Sequence, residues 1–255
     1  MVPLLLALVA FAAAPLVPFT DPGSIERLAR AEARADFFAL ANQFEAQEHG
    51  GLCGPTSGVI VLNALRLGDT THAKPKDMSH VPDTYRPLIP TRFDPTLARY
   101  TQTTFFSEAA QKVKSEAEFY GKARTEGEKP DPGLQLRQLG EMLETWGAKV
   151  EVRIADAGLT DDAMREDLAE NLARSGDFVV VNYQRTTVGQ EGGGHLSPLA
   201  AYDRVSDSFL VMDVNAARYP WVWVPAATLF AAMRTLDRVE NRGYLVVKEG
   251  QVPTP

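Results

Sequence analysis

The stretch Gln47-Glu48-His49-Gly50-Gly51-Leu52-Cys53-Gly54-Pro55-Thr56-Ser57 decides how this chain is read. Pro55 suits the first turn of a helix, where a missing N–H removes no bond, and Val59, Ile60, Leu62, Asn63 and Leu65 continue as a nearly all-apolar helix ending near Gly68. Such a helix is predicted to be buried, with Cys53 at its N-terminus. There a thiol feels roughly half a unit of positive charge from unpaired backbone N–H groups, which favours the nucleophilic thiolate. Cys53 is the 1 cysteine among 255 residues, so the chain can form no internal disulfide. A small buried hydrophobe is the bland alternative for such a residue.

Far downstream stand Gly193-Gly194-His195-Leu196-Ser197-Pro198 and, in Leu210-Val211-Met212-Asp213-Val214-Asn215, the carboxylate Asp213. Thiol acyl transfer requires a thiolate, an imidazole that stabilises it and later donates a proton, a group that orients the imidazole, and donors to an oxyanion. Cys53, His195 and Asp213 fit the first three. The side-chain amide of Gln47 and the backbone N–H of Cys53 fit the fourth. Taken singly, His195 reads as a hydrogen-bonded core histidine, Asp213 as a strand-end residue and Gln47 as a loop amide; their joint order favours the chemical reading.

Around these residues the chain divides into a helical half and a sheet-rich half. Ser24 is predicted to cap a helix running to about Leu40, and further helices are expected over Phe105 to Lys114 and Leu134 to Trp146. Strands are predicted at Lys149 to Ile154, Phe178 to Tyr183, His195 to Tyr202, Phe209 to Asp213 and Tyr244 to Val247, with a helix from about Thr160 between the first two. Asp203 to Ser208 reads as a hairpin turn, which would bring His195 and Asp213 onto adjacent strands. Residues 69–103 hold five prolines and little periodicity, and read as an irregular excursion bordering a cleft. The expectation is an α+β fold of two lobes, helical over about 24–146 and sheet-rich over about 147–248, within one domain at 20–250.

At 45% hydrophobic and 23% charged residues the composition is that of a globular chain, and a net charge of -7 with scattered Lys and Arg supplies no footprint for nucleic acid. The apolar run from Val2 to Phe11, followed by Ala12-Ala13-Ala14, reads as a signal peptide cleaved after Ala14, so export, as to a bacterial periplasm, is expected; an uncleaved anchor is the alternative. The run is shorter than the ~20 residues of a spanning helix, so no stable membrane insertion is expected after processing. His49, His72 and His80 form no four-ligand set with one cysteine, and no metal site of the protein's own is expected. Gly192 to Gly194 lacks the strand and helix context of a dinucleotide fingerprint. It is expected to let substrate backbone approach His195.

The chain resembles the phytochelatin synthase family, also described as glutathione gamma-glutamylcysteinyltransferases, in its short bacterial form. The resemblance runs over Phe37-Phe38 to Leu65, Leu136 to Val152, and most closely from Gly176 onward, through Gly189-Gln190-Glu191, Gly193 to Pro198, Tyr219-Pro220 and Arg242-Gly243-Tyr244. It implies a papain-like two-lobe fold with Cys53, His195 and Asp213 as catalytic triad and Gln47 at the oxyanion. It further implies that Asp237 and Arg242 engage the charged ends of a gamma-glutamyl group, with Asn182, Gly193 and Gly194 also binding substrate. Cys53 would attack the Cys–Gly bond of glutathione, release glycine, and pass the gamma-glutamylcysteinyl group to water or to a second glutathione. No intrinsic cofactor is implied; heavy-metal ions such as Cd, Zn or Cu would arrive as glutathione thiolate complexes, and a homodimer is left open. Where the family carries an Arg three residues after the triad Asp, this chain has Ala216, with Arg218 two positions later. Two other readings are a leader-peptide-processing papain-like peptidase and a catalytically silent module that binds gamma-glutamyl peptides.

Overall fold

In the computed structural model, residues 15–78 and 81–250 are described; the predicted signal peptide with its cleavage site after Ala14, and His80, lie outside the described residues. The chain opens with β1 (Val17–Pro18), α1 (Pro22–Arg30), α2 (Phe37–Gln43) and α3 (Cys53–Leu65), continues through the two-stranded β2 (Lys76–Asp77) and β3 (Leu97–Ala98), and reaches α4 (Glu108–Val113), α5 (Glu116–Phe119) and α6 (Leu136–Thr145). It closes with β4 (Ala148–Ile154), α7 (Asp161–Leu172), β5 (Asp177–Gln184), β6 (Gly194–Asp203), β7 (Ser208–Val211), β8 (Val222–Pro225), α8 (Ala226–Met233) and β9 (Gly243–Glu249). This is an α+β fold. Seven strands form one antiparallel sheet in the order β1-β8-β7-β6-β5-β9-β4.

The period-2 alternation of strand side chains explains why the sheet is covered on both faces. Phe178, Val180, Leu245 and Val247 pack with α3 and α6 in one core, while Val179, Val181, Tyr244 and Val246 pack with α7 and α8 in another. Helix α3 is buried from Gly54 to Ala64, as its composition requires. Two of its polar members are satisfied: Ser57 Oγ donates to Leu196 O at 3.1 Å, and Asn63 exchanges two hydrogen bonds with the Tyr100 backbone at 2.9 and 3.0 Å, while the buried Thr56 hydroxyl has no partner among the described residues. The first of these bonds pins the nucleophile helix to β6.

Three expectations need correction. The helix predicted from Ser24 to Leu40 is two helices, because Asp21 caps α1 and Ala33 leaves the helix to pair with Tyr202 of β6, whose N–H donates to Ala33 O at 2.8 Å. Ser24 is instead buried inside α1, accepting from Trp223 Nε1 at 2.7 Å. Asp213 stands two residues beyond β7 rather than within it. The excursion at 69–103 does not line the cavity beside Cys53; residues 132–134 do. Strand β8 and helix α8 escaped the sequence reading, since Val222–Met233 is apolar without a period that separates strand from helix.

Asp36, at the start of α2, is 1% exposed and both its carboxylate oxygens lack a hydrogen-bond partner. Burial, reinforced by the like charge of Asp177 and opposed by Arg174, pushes its pKa up to about 8. The folded chain therefore holds a proton that the unfolded chain releases near pH 4, so this group's effect is loss of stability as pH rises from about 4 to about 8. Asp36→Asn is expected to raise the midpoint of thermal unfolding at pH 8, with the gain fading towards pH 4; an equal effect at both pH values would refute the assignment.

Candidate active site

Each reactive side chain is presented by a different support. Cys53 is the first residue of α3, half-buried, with its thiol at the positive end of that helix. His195 is the second residue of β6 and is buried. Leu199 faces Val211 across the β6–β7 pair, so His195 and Asp213, at even offsets from that pair, share a face of the sheet. His195 Nε2 lies 2.9 Å from Asp213 Oδ1, an ion-pair contact lying off the line of a straight hydrogen bond. The Cys53 thiol and the same imidazole line one cavity and shift each other's ionisation, and with Nε2 toward Asp213 it is Nδ1 that is left for sulfur.

The electrostatics of this chain of groups are mutual. Burial pushes the Cys53 thiol up, but the hydrogen bond and charge of His195, together with the Leu196 and Gly54 backbone, outweigh it and hold the thiol below its ordinary value. Burial pulls His195 down, and its contacts with Asp213 and Cys53 more than reverse this. Burial likewise pushes Asp213 up, and His195 and Arg185 hold it well below the usual carboxylate range. A thiolate and an imidazolium favour each other here.

Sequence reasoning missed Arg185. It follows β5, is 4% exposed, and grips Asp213 with both guanidinium arms, Nη1 to Oδ2 at 2.8 Å and Nη2 to Oδ1 at 2.9 Å. Its guanidinium carbon lies 4.5 Å from the centre of the Tyr219 ring. The available signal was a cation two residues after the strand-forming run Phe178 to Tyr183. A buried Asp charge needs such a partner.

A cavity of about 270 Å³ opens beside Cys53 and His195. Gly51 and residues 132–134 line one side, and Asn182, Gly194, Asp237 and Arg242 the other. Arg242 Nη1 is 2.7 Å from Asp237 Oδ1 and 3.3 Å from Asn182 Oδ1, and Asn182 Nδ2 donates to Asp237 Oδ2 at 3.1 Å. This cluster presents a carboxylate and a guanidinium side by side. Gly194 is required by it, because a Cβ there would stand 2.7 Å from Arg242 Nη1. Thus the close approach at Gly194 is made by Arg242, whereas the sequence assigned it to substrate. Gly193 lies outside the cavity lining and accepts the Arg185 N–H at 3.1 Å.

Gln47 stands on the loop before α3, where its N–H donates to Val214 O at 2.8 Å. Its side-chain Nε2 donates to His49 O at 2.9 Å, leaving the second amide hydrogen for another acceptor. His49 reaches sideways, Nε2 to Tyr120 Oη at 3.0 Å. His72 sits between Asp69 and Glu249, a grouping with metal-ligand geometry, but Thr71 donates to Asp69 and Arg66 grips Glu249, so these carboxylates are already engaged as an ion-pair clasp. A cavity of about 570 Å³ bounded by Arg30, Glu166, Tyr202 and Arg204 is larger than the one at Cys53. Its lining holds no cysteine, serine, threonine or histidine, so the chemistry rather than the volume selects the site.

The sequence model of the family described as phytochelatin synthase matches residues 11–81 and 91–244. Among curated proteins, glutathione gamma-glutamylcysteinyltransferase 3 of Lotus japonicus is 26% identical over 216 residues, covering 84% of this chain and 37% of the relative. Glutathione gamma-glutamylcysteinyltransferase 1 of Triticum aestivum is 28% identical over 215 residues, covering 83% and 35% respectively. The chain thus spans little more than a third of the length of these relatives.

The coupled pair generates a direct test. Iodoacetamide is expected to alkylate Cys53 with a midpoint below the ordinary thiol value, and His195→Gln is expected to move that midpoint up, because it removes the contacts that lower the thiol. An unmoved midpoint would show that the imidazole does not set the thiol.

Proposed function

The chain belongs to the phytochelatin synthase family, and from that premise we propose that it is a papain-like thiol acyltransferase that cleaves glutathione. The observation that carries the proposal is that the Cys53 thiol shares one cavity with Asp237, Arg242 and an imidazole that lies 2.9 Å from a buried carboxylate. The names of the relatives supply the substrate class.

In the proposed reaction the gamma-glutamyl head lies against Asp237 and Arg242, its ammonium toward the carboxylate and its carboxylate toward the guanidinium. Cys53 Sγ attacks the carbonyl carbon of the Cys–Gly bond. The developing oxyanion accepts from the Cys53 backbone N–H and from Gln47. Imidazolium at His195 gives its proton to the departing glycine nitrogen, leaving a gamma-glutamylcysteinyl thioester and a neutral ring. That ring then takes a proton from water, or from the amine of a second glutathione, as the acyl group leaves sulfur. Asp213 holds the ring, and Arg185 holds Asp213. Heavy-metal ions enter this scheme as part of the acceptor, bound to glutathione thiolates.

The acceptor side carries less charge than the family pattern implies. Ala216 supplies no cation, and Arg218 is engaged with Glu191 and with the Tyr219 ring at 5.4 Å. Water is therefore the favoured acceptor.

Wild-type protein incubated with millimolar-scale glutathione is expected to release glycine and gamma-glutamylcysteine as the chief products, with or without cadmium. Early dominance of phytochelatin would overturn the water-acceptor reading. Cys53→Ser is expected to show neither glycine release nor a thioester adduct by mass spectrometry, and an adduct on that variant would remove Cys53 as nucleophile. Absence of glycine release from wild type would favour the silent binding module, and cleavage of polypeptides after double glycine would favour the leader peptidase. The rate is expected to rise with pH as the thiolate–imidazolium pair forms, beginning below the ordinary thiol value, and to fall when the pair loses its second proton, above the ordinary histidine value.

A further inference from the structure

Asp237 sits on a tight turn. Leu236 bridges Asn241, Asp237 N–H donates to Glu240 O at 2.9 Å, and Arg242 N–H donates to Thr235 O at 3.0 Å. The turn projects from the sheet, with Val239 at its tip 82% exposed. A turn so placed has few apolar contacts to fix it, yet it carries a carboxylate that lines the Cys53 cavity.

The two residues flanking Val239 both reach the helical side of the cleft. Arg238 Nε donates to Asp131 Oδ1 at 2.8 Å, and its Nη2 donates to Pro130 O. Glu240 accepts twice from Arg137 of α6, Oε1 from Nε at 2.7 Å and Oε2 from Nη2 at 2.9 Å. Asp131 is anchored in turn: the buried Lys114 donates to its carbonyl at 2.6 Å and to Oδ2 at 3.2 Å, and Gln135 Nε2 donates to Oδ2 at 2.9 Å. Asp131 directly precedes the 132–134 wall of the cavity. The turn bearing Asp237 is therefore fastened to the helical side by two ion pairs, one to the residue that precedes the 132–134 wall and one to α6.

We infer that Arg238 and Glu240, through Asp131 and Arg137, are positioning residues that clamp the 235–241 turn across the cleft and so hold Asp237 at the distance from Cys53 that a gamma-glutamyl head requires. The inference rests on the proposed function for its substrate, and on the ion pairs alone for the clamp. Each pair is partly exposed, with Arg137 at 53% and Glu240 at 30%, and such pairs add little to global stability. Their effect is instead local, on where one carboxylate stands. Because the pairs are solvent-screened, the clamp is also weakened by salt.

The test uses the full chain with Glu240→Gln, Arg238→Gln, and the exchanged pair Arg137→Glu with Glu240→Arg. Each single variant is expected to raise KM for glutathione by up to about fivefold, the upper end of what one exposed ion pair supports, with kcat within about twofold and the thermal midpoint nearly unmoved. Hydrogen–deuterium exchange over residues 235–241 is expected to quicken in both singles, and the exchanged pair is expected to restore both readouts towards wild type. Unchanged exchange in the singles, a fall in kcat with constant KM, or failure of the exchanged pair to restore either readout would overturn the clamp. If wild type releases no glycine, the proposed function fails while the exchange measurement still decides the clamp.

Discussion

The site depends on the burial of one negative charge. Asp213 is 0% exposed, and an isolated carboxylate in such a place would take up a proton sooner than remain ionised. Arg185 and His195 prevent this from two sides, the guanidinium with two bonds and the imidazole with a 2.9 Å ion-pair contact. Remove the guanidinium and the carboxyl would rise towards protonation; its hold on the imidazole would then weaken, and with it the depression of the Cys53 thiol. The four groups form a series in which each sets the charge of the next.

The fold makes that series rigid by assigning its members to elements that share one core. Helix α3 is apolar on every side and can only be buried, and Ser57 ties it to the carbonyl of the residue after His195. Strands β6 and β7 set the offset between His195 and Asp213 by register, independent of any long loop. Arg185 leaves the end of β5, the neighbour of β6 on its other side. Three adjacent strands and one helix terminus therefore converge without a lid. What is not built in this way is the substrate end, where Asp237 stands on an exposed turn.

The chemistry was legible in the sequence where side-chain type and local placement coincide. One thiol before an apolar helix, a histidine at the start of a strand, and an aspartate near the end of the next strand could each be read from period and punctuation. The resemblance added Asn182, Asp237 and Arg242, which the structure brings to the same cavity. Arg185 was not legible, because an arginine at a strand end ordinarily points to solvent and only the tertiary position of Asp213 turns it inward. The break at Ala31 was hidden for a similar reason: no proline or glycine interrupts residues 25–40, and the competing partner, the Tyr202 backbone, lies far along the chain. The cavity wall at 132–134 was not legible, since nothing in Pro132-Gly133-Leu134 announces what it faces.

Two glycines make room for two arginines with different tasks. Gly192 has φ +122°, and a Cβ there would meet Arg185 Cδ at 3.0 Å; Gly194 makes room for Arg242. Arg242 serves the cavity, whereas Arg185 serves the carboxylate behind the ring. Arg185, with two bonds to Asp213, keeps that carboxylate ionised, and the ionised carboxylate in turn raises His195 against the pull of burial. The imidazole so held can stabilise the Cys53 thiolate and carries the proton that a departing amine needs.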